Sequence, residues 1–379
     1  MHSVVYDHQA FSLQRYGGVS RYICELATRV HRASDFTARI VAPVHFNSYL
    51  PDCPVPQTAM YLRKLWKTGP LYRAANNLLS PILMRASAPS LIHRTYFAPL
   101  AKPVDVPVIL TVFDMIHELF PASFSAGDVT RRNKRVSVER ADHILCISEC
   151  TANDLIRMYG VPREKISVTY LGYSDVFNAS PPAHETAPHG RPYLLYVGQR
   201  GGYKNFDMAL KAYASSKRLR SEFDLVAFGG APFNATELAL ISGLQLKPDR
   251  VVRLIGSDSD LARAYRHARA LVYPSLYEGF GIPPLEAMSS GCAVACSNAS
   301  SLPEVVGSAA ALFDPNDIDP VRQALEDICF GDTARAQLVV AGKERVRQFS
   351  WDRCAADTLA TYRCALEGTR PVPRLDGRG

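Results

Sequence analysis

Tyr273-Pro-Ser-Leu-Tyr-Glu-Gly-Phe-Gly-Ile-Pro-Pro-Leu-Glu286 is the stretch on which the fold turns. Ahead of Pro274, Ala270–Tyr273 is a short apolar run of strand length. Gly279 and Gly281 then allow the backbone to approach a ligand closely. Pro283 and Pro284 suit a helix start. Glu286 is expected in the first turn, and Gly291 is placed to end the helix as a left-handed cap. This order of strand, glycine loop and helix leaves free backbone N–H groups at a helix N-terminus, at the carboxyl end of a strand. Open α/β sheets bind phosphorylated ligands there. Glu278 and Glu286 beside that point suit the hydroxyls of a sugar and a ribose. Singly, Glu286 reads as a helix-dipole partner and Glu278 as a solvated loop residue; the segment as a whole carries the functional reading.

Outward from this stretch, short runs of Val, Ile and Leu alternate with helical patterns. In the first half strands are expected at Ser3–Tyr6, Ala38–Val44, Leu91–His93, Val108–Val112, His143–Ser148 and Ser167–Leu171, with a helix over Val19–Val30. In the second half they are expected at Tyr193–Val197, Asp224–Phe228, Val251–Leu254, Ala270–Tyr273 and Ala293–Cys296. Strand–helix alternation of this kind builds a parallel sheet with helices on both faces. The break between the halves, 178–192, holds four prolines and no apolar period, and reads as a linker. The expected division is therefore 1–177, linker 178–192, and 193–350. A last helix capped by Ser350 runs to about 367, and a flexible tail covers 368–379.

Two further segments bear on chemistry. Tyr196-Val-Gly-Gln-Arg-Gly-Gly-Tyr-Lys-Asn205 runs from a strand into a glycine-rich turn with Arg200 and Lys204 near the next helix. Two cations there can clamp a diphosphate; alone the run also fits a basic surface turn. Tyr16-Gly-Gly-Val-Ser20 offers Gly17 and Gly18 between a strand and a helix. Their N–H groups can meet a phosphate, although many strand–helix turns use Gly-Gly.

Composition narrows the classes. With 379 residues, 47% hydrophobic and 21% charged, the chain has material for two packed cores. No run reaches membrane-span length, and the start lacks the regions of a signal peptide. The expectation is a cytoplasmic protein. Nine cysteines, without a CxxC pair, read as reduced and mostly buried thiols. Asp258-Ser-Asp260 and Asp317-Ile-Asp319 each precede a helical pattern and read as caps, so no metal is invoked. The net charge of +7 lies almost wholly in the first half, which carries +6 over residues 1–180. That points to an anionic partner: a membrane surface, a polyprenyl pyrophosphate or nucleic acid. Within it, Tyr61-Leu-Arg-Lys-Leu-Trp-Lys67 mixes cations with apolar and aromatic residues, as interfacial segments do. Arg131-Arg-Asn-Lys-Arg135 reads as a solvated helix face, and no nucleic-acid module is present.

In this order along the chain, the three glycine-rich segments resemble glycosyltransferase family 4, retaining enzymes of the GT-B fold. Glu278 and Glu286 match that family's paired glutamates, Arg200 and Lys204 its phosphate-binding cations, and Gly17-Gly18 its first-domain glycine loop. Phe349-Ser-Trp-Asp352 is similar to its C-terminal element, which returns to the first domain. Thr111-Val-Phe-Asp-Met-Ile-His-Glu118 resembles a mannosyltransferase-like branch that builds bacterial O-antigens and exopolysaccharides.

The resemblance implies two Rossmann-like doubly wound domains facing each other across a cleft. It implies a nucleotide-sugar donor, GDP-mannose by the O-antigen branch, with UDP-sugars and dTDP-rhamnose open. The acceptor is a glycan or a polyprenyl-pyrophosphate-linked glycan, reached from the inner face of the plasma membrane. Arg200, Lys204 and Glu278 are then the catalytic candidates. Gly198, Ile255, Gly279, Phe280, Gly281, Ile282 and Glu286 join them at the donor. Phe113 stands where many members carry a histidine, so Asp114 and His117 are candidates for the sugar or acceptor. The rival readings are an epimerase on the same fold and a non-catalytic sugar-nucleotide-binding protein.

Overall fold

A computed structural model describes residues 1–62, 69–98 and 105–369. The chain divides into two compact units, residues 1–171 with 351–379, and residues 172–350.

Among its described residues the first unit holds seven strands: β1 (His2–Tyr6), β2 (Phe36–His45), β3 (Gln57–Tyr61), β4 (Leu91–Arg94), β5 (Val108–Val112), β6 (His143–Cys146) and β7 (Ile166–Val168). Their order is β3-β2-β1-β4-β5-β6-β7, and every pairing is parallel. The second unit holds β8 (Tyr193–Val197), β9 (Asp224–Phe228), β10 (Val251–Leu254), β11 (Ala270–Tyr273), β12 (Val294–Ser297) and β13 (Ala311–Phe313). Their order is β10-β9-β8-β11-β12-β13, again all parallel. Central strands such as Val108–Val112 and Tyr193–Val197 are buried throughout, because helices cover both faces of a parallel sheet. Strand order reverses beside β1, which pairs with both β2 and β4, and beside β8, which pairs with both β9 and β11. Loops leaving the carboxyl ends diverge at such reversals and open a crevice for a ligand.

Eleven expected strands are present, five of them with the bounds read from the sequence. Two strands escaped the sequence reading. β3 is an exposed edge strand without a core face, and β13 has only three residues. The expected linker 178–192 is corrected. It follows a segment, from Gly172, that already belongs to the second unit. Phe177 is buried and its ring packs edge-on against Tyr265 at 5.9 Å. Glu185 takes Arg266 Nε at 2.8 Å, and His189 Nε2 lies 2.7 Å from Asp224 Oδ2. Side-chain ion pairs therefore hold this proline-rich strap down despite its lack of apolar period. Most of the Tyr61–Lys67 segment (63–67) and most of the expected tail (370–379) lie outside the described residues.

Helix Trp351–Glu367 completes the first unit through a buried polar chain. Tyr362 OH bonds His93 Nδ1 and lies 3.0 Å from Tyr6 OH. His93 Nε2 lies 2.8 Å from Thr111 Oγ1, which Tyr22 OH reaches at 3.2 Å. On the rim, Arg363 grips Asp35 at 2.8 and 3.1 Å. All nine cysteines are unpaired with one another, and six are buried. Among the described residues no helix is long and apolar enough to cross a membrane.

Two measurements check this anchoring. Tyr362→Phe removes the hydroxyl shared by His93 and Tyr6, leaving buried partners unsatisfied; a loss of about 1–3 kcal/mol in denaturant unfolding is expected. Burial also pushes His93 down to about 3 and His143 to about 4. Below the unfolded value near 6.5 the unfolded chain binds protons that the folded chain excludes. This stability is thus present above about pH 6.5 and is lost as pH falls toward the folded values. Each histidine contributes a slope of about 1.4 kcal/mol per pH unit in that window. His93→Gln is expected to flatten the fall in stability between pH 6.5 and 5; an unchanged slope refutes the assignment.

Candidate functional site

The loops after β8 and β11 flank the reversal in the second unit and are joined directly. Leu276 N–H donates to the Tyr203 carbonyl at 2.7 Å. Asn205 donates through Nδ2 to the carbonyls of Pro274 at 3.1 Å and Pro315 at 2.9 Å. It does so from a left-handed backbone, φ 55°, at the start of helix Phe206–Ser215. From below, Ser301 Oγ donates to the carbonyls of Glu278 and Phe280 at 2.9 and 2.7 Å, and Glu278 N–H donates to Ser300 Oγ at 2.9 Å. Gly281 has φ +113°, and a Cβ there would stand 2.7 Å from Leu302 Cδ2, so only glycine fits. Phe280 turns its ring into the core against Phe349, at 5.8 Å, leaving its backbone to the loop.

Helix Ile282–Ser289 follows. It is closed by Gly291 at φ +76°, with Gly291 N–H on Met288 O and Cys292 N–H on Ala287 O, a left-handed cap as the sequence suggested. Two expectations need correction. Glu286 falls in the second turn, because the helix begins at Ile282. Pro283 and Pro284 remove two of the four unpaired first-turn donors, so this N-terminus is a poorer anion site than its position suggests.

Within this frame Lys204 and Glu278 meet. Lys204 Nζ lies 2.7 and 2.8 Å from the two Glu278 oxygens and 3.5 Å from Tyr273 OH. Glu286 is buried, and Tyr265 OH donates to its Oε2 at 3.3 Å. Burial, and then the neighbouring glutamate, pushes the phenols of Tyr265 and Tyr273 well up, so both remain protonated donors. Gly198 N–H is held by Phe228 O at 3.1 Å with φ +119°. Ile255 stands exposed just past β10. Arg200 does not join Lys204. Its Nε donates to Glu237 Oε1 at 2.8 Å, Nη1 to Gly229 O at 3.2 Å, and Nη2 to Ala231 O. The sequence reading passed over Asn205, Glu237, Ser300 and Ser301. Of these only Glu237 left a trace, the Asn234-x-x-Glu237 capping spacing.

The remaining candidates lie in the first unit. Gly17 caps helix Gly18–Arg32 in an extended conformation, with Gln14 against its α-carbon, while Gly18 faces open space. Asp114 Oδ1 accepts Ile116 N–H at 3.0 Å, and its carbonyl accepts Lys134 Nζ at 2.8 Å. Lys134 is fully buried and paired with Glu118 at 2.6 Å, so the run 131–135 is not simply the solvated face expected. His117 stacks on Phe124 at 3.9 Å, and its Nε2 lies 3.4 Å from Asp128. Phe113 packs edge-on against Tyr22 at 5.4 Å. The aspartates first read as caps behave so: Asp260 completes the capping box of Ser257, and Asp317 accepts Asp319 N–H at 3.1 Å.

Two family models match this chain, Glycosyltransferase Family 4 over residues 16–177 and Glycosyl transferases group 1 over residues 181–345. The O-antigen chain mannosyltransferase B of Escherichia coli is 34% identical over 60% of this chain and 62% of its own length. A serotype-specific mannosyltransferase of the same organism is 28% identical over 63% of this chain and 31% of its own length. The matched stretches thus span less than two thirds of either relative. The O-antigen chain mannosyltransferase RfbU of Salmonella typhimurium is 28% identical over 82% of this chain and 87% of its own length. Among solved structures, the sucrose-phosphate synthase of Thermosynechococcus elongatus superposes with a TM-score of 0.76 at 20% identity, covering 97% of this chain and all (100%) of that one. Anabaena HepE, solved with UDP and glucose, gives 0.75 at 17% identity, covering 96% and 100%. At such identities the superpositions speak for the fold, which is GT-B. With one family model on each half, the chain carries a Glycosyltransferase Family 4 domain and a Glycosyl transferases group 1 domain, and O-antigen mannosyltransferases are among its relatives.

Proposed function

We propose that the protein transfers mannose from GDP-mannose, with retention of anomeric configuration, to a glycan carried on a membrane lipid. The observation that carries the transferase reading is the Lys204–Glu278 pair at the β8/β11 reversal, with Glu286 buried against Tyr265 in the helix that follows. The mannosyltransferase names of the relatives at 28–34% identity support the donor.

In this reading the pair is exchanged when donor arrives. The diphosphate takes Lys204, and a hydroxyl of the sugar takes Glu278, so neither charge is left buried alone. Glu286 accepts the ribose hydroxyls. Reaction breaks the bond between the anomeric carbon and the phosphate oxygen and forms one to the acceptor oxygen on the same face. The acceptor proton passes to the departing phosphate oxygen. Lys204 stabilises the charge that develops there, an interaction stronger in the transition state than in the ground state.

Membrane docking rests on helix Gly69–Ala86, which is mounted inside out. Asn76, Ser80 and Met84 are buried, and Asn76 bonds both the N–H and the carbonyl of Val44 at 2.9 Å. Leu71, Leu78 and Ile82, on one line of the opposite face, are 69%, 69% and 60% exposed. Arg85 flanks that line, and Arg63, Lys64 and Lys67 precede the helix in sequence. An apolar ridge beside cations suits an anionic lipid surface.

Three outcomes are expected. Lys204→Ala and Glu286→Ala each reduce transfer by about 100-fold or more with an unchanged circular dichroism spectrum, the usual scale for loss of a transition-state or donor-positioning group. Near-normal turnover in either folded variant removes that residue from the site. In calorimetry and thermal shift, GDP-mannose binds more tightly than UDP-sugars or dTDP-rhamnose; preference for a uridine or thymidine nucleotide overturns the donor. Co-sedimentation with phosphatidylglycerol-containing vesicles at low salt is lost in a Leu78→Glu, Ile82→Glu variant; sedimentation that is absent in the wild type, or unaffected by the change, rejects this face.

A further inference from the structure

Arg200 carries the least expected geometry of the second unit. Its side chain is 4% exposed. Its three nitrogens are spent on Glu237, Gly229 O and Ala231 O, and its guanidinium lies over the Phe233 ring, 4.7 Å from the centroid. The partner is equally committed. Glu237 Oε2 accepts Asn234 N–H at 2.7 Å while Asn234 Oδ1 accepts Glu237 N–H at 2.9 Å, closing the cap of helix Ala235–Gly243. Gly230 makes the space: with φ +66°, a Cβ there would stand 2.7 Å from Arg200 Nη1.

A second guanidinium approaches the same turn from β10. Arg253 donates to Gly230 O through Nη2 at 2.7 Å and Nε at 3.1 Å. The carbonyls of residues 229, 230 and 231 are therefore all turned toward two arginines. In a planar trans peptide the N–H of the following residue points opposite to the carbonyl. The N–H groups of Gly230 and Ala231 are thus aimed away from the clamp. No protein acceptor takes either of them among the described residues. Residue 232 is proline and has no N–H. The turn lies at the carboxyl end of β9, between the Lys204 loop after β8 and Ile255 after β10.

We propose that Arg200 and Arg253 are positioning residues, which clamp the Gly229–Ala231 carbonyls so that the Gly230 and Ala231 N–H groups bind acceptor oxygens on the nucleotide half of the donor. Arg200 then acts through the backbone it holds, and Lys204 alone supplies side-chain charge from this loop to the leaving diphosphate. The inference rests on the donor-site reading above. A planar fork is needed for such a clamp, and a point charge cannot replace it. Glu237 is needed as much as Arg200, because removing either partner undoes the same geometry.

The test is a double-mutant cycle on the full-length protein, with GDP-mannose kinetics and GDP calorimetry. Arg200→Lys, Arg200→Met and Glu237→Gln are each expected to raise the donor KM and the GDP Kd about tenfold, with kcat within about threefold of wild type. The Arg200→Met, Glu237→Gln double variant is expected to be no worse than either single variant. Arg253→Lys, an independent probe if the Arg200 variants fold poorly by thermal melt, is expected to give the same KM phenotype. If Glu237→Gln is near wild type while Arg200→Met loses kcat and Arg200→Lys restores it, Arg200 touches the diphosphate and the inference is wrong. Unaltered KM and GDP Kd in folded Glu237→Gln and Arg253→Lys also overturn it. A wild type that transfers no sugar and binds no GDP fails the donor-site reading itself, a result distinct from either.

Discussion

Right-handed crossovers cover one face of a parallel sheet while its strand order runs one way, so a sheet covered on both faces must have a point where the order turns back. In each unit that point lies beside the first strand, β1 or β8. The rest of the molecule's chemistry follows from it. Where order reverses, two neighbouring loops leave in opposite directions and their backbone ends stay open. In the second unit those are the loops carrying Lys204 and Glu278, so two residues 74 positions apart in sequence meet at hydrogen-bond distance. The hydrogen bonds from Asn205, Leu276 and Ser301 make the meeting rigid.

Holding charge in so enclosed a place has a cost, since buried ions lose their hydration. The second unit meets it by pairing every buried charge of the site with a specific partner. Lys204 has Glu278, Arg200 has Glu237, and Glu286 has the Tyr265 hydroxyl. The two ion pairs differ in character. Arg200–Glu237 is closed on all sides by carbonyls and a helix cap, whereas Lys204 keeps 19% of its side chain exposed. Only the second can trade partners without dismantling a loop. A ligand that engages it must bring both an anion for the lysine and a hydrogen-bond donor for the carboxylate, which describes a sugar diphosphate better than a free phosphate or a free sugar.

Much of this was legible in the sequence, and the physical reasons are local. β5, β8 and β11 are buried on both faces, so an uninterrupted apolar run marks each one, and β9 breaks that run only at Asp224. The paired glutamates stand out because the glycines and prolines around them force one backbone path. What stayed hidden depends on partners far along the chain. Arg200 and Lys204 read as equivalent cations in one turn, yet Glu237 claims one of them from 37 residues away. Glu286 shifted from first turn to second because two prolines obscure where a helix begins. The strap 178–192 looked free because ion pairs, unlike apolar faces, leave no period in a sequence.

The polar chain from Tyr6 through Tyr362 to His93 and Thr111 joins strand β1 to helix Trp351–Glu367. Domains of a nascent chain usually fold in order as they leave the ribosome. Here the first unit cannot close its core until helix Trp351–Glu367 has been synthesised, after the whole second unit has emerged. The second unit is contiguous and can finish first. The order of folding during translation is therefore the reverse of the order of the halves, and the first unit waits with Tyr6, Tyr22 and His93 uncovered until helix Trp351–Glu367 has emerged.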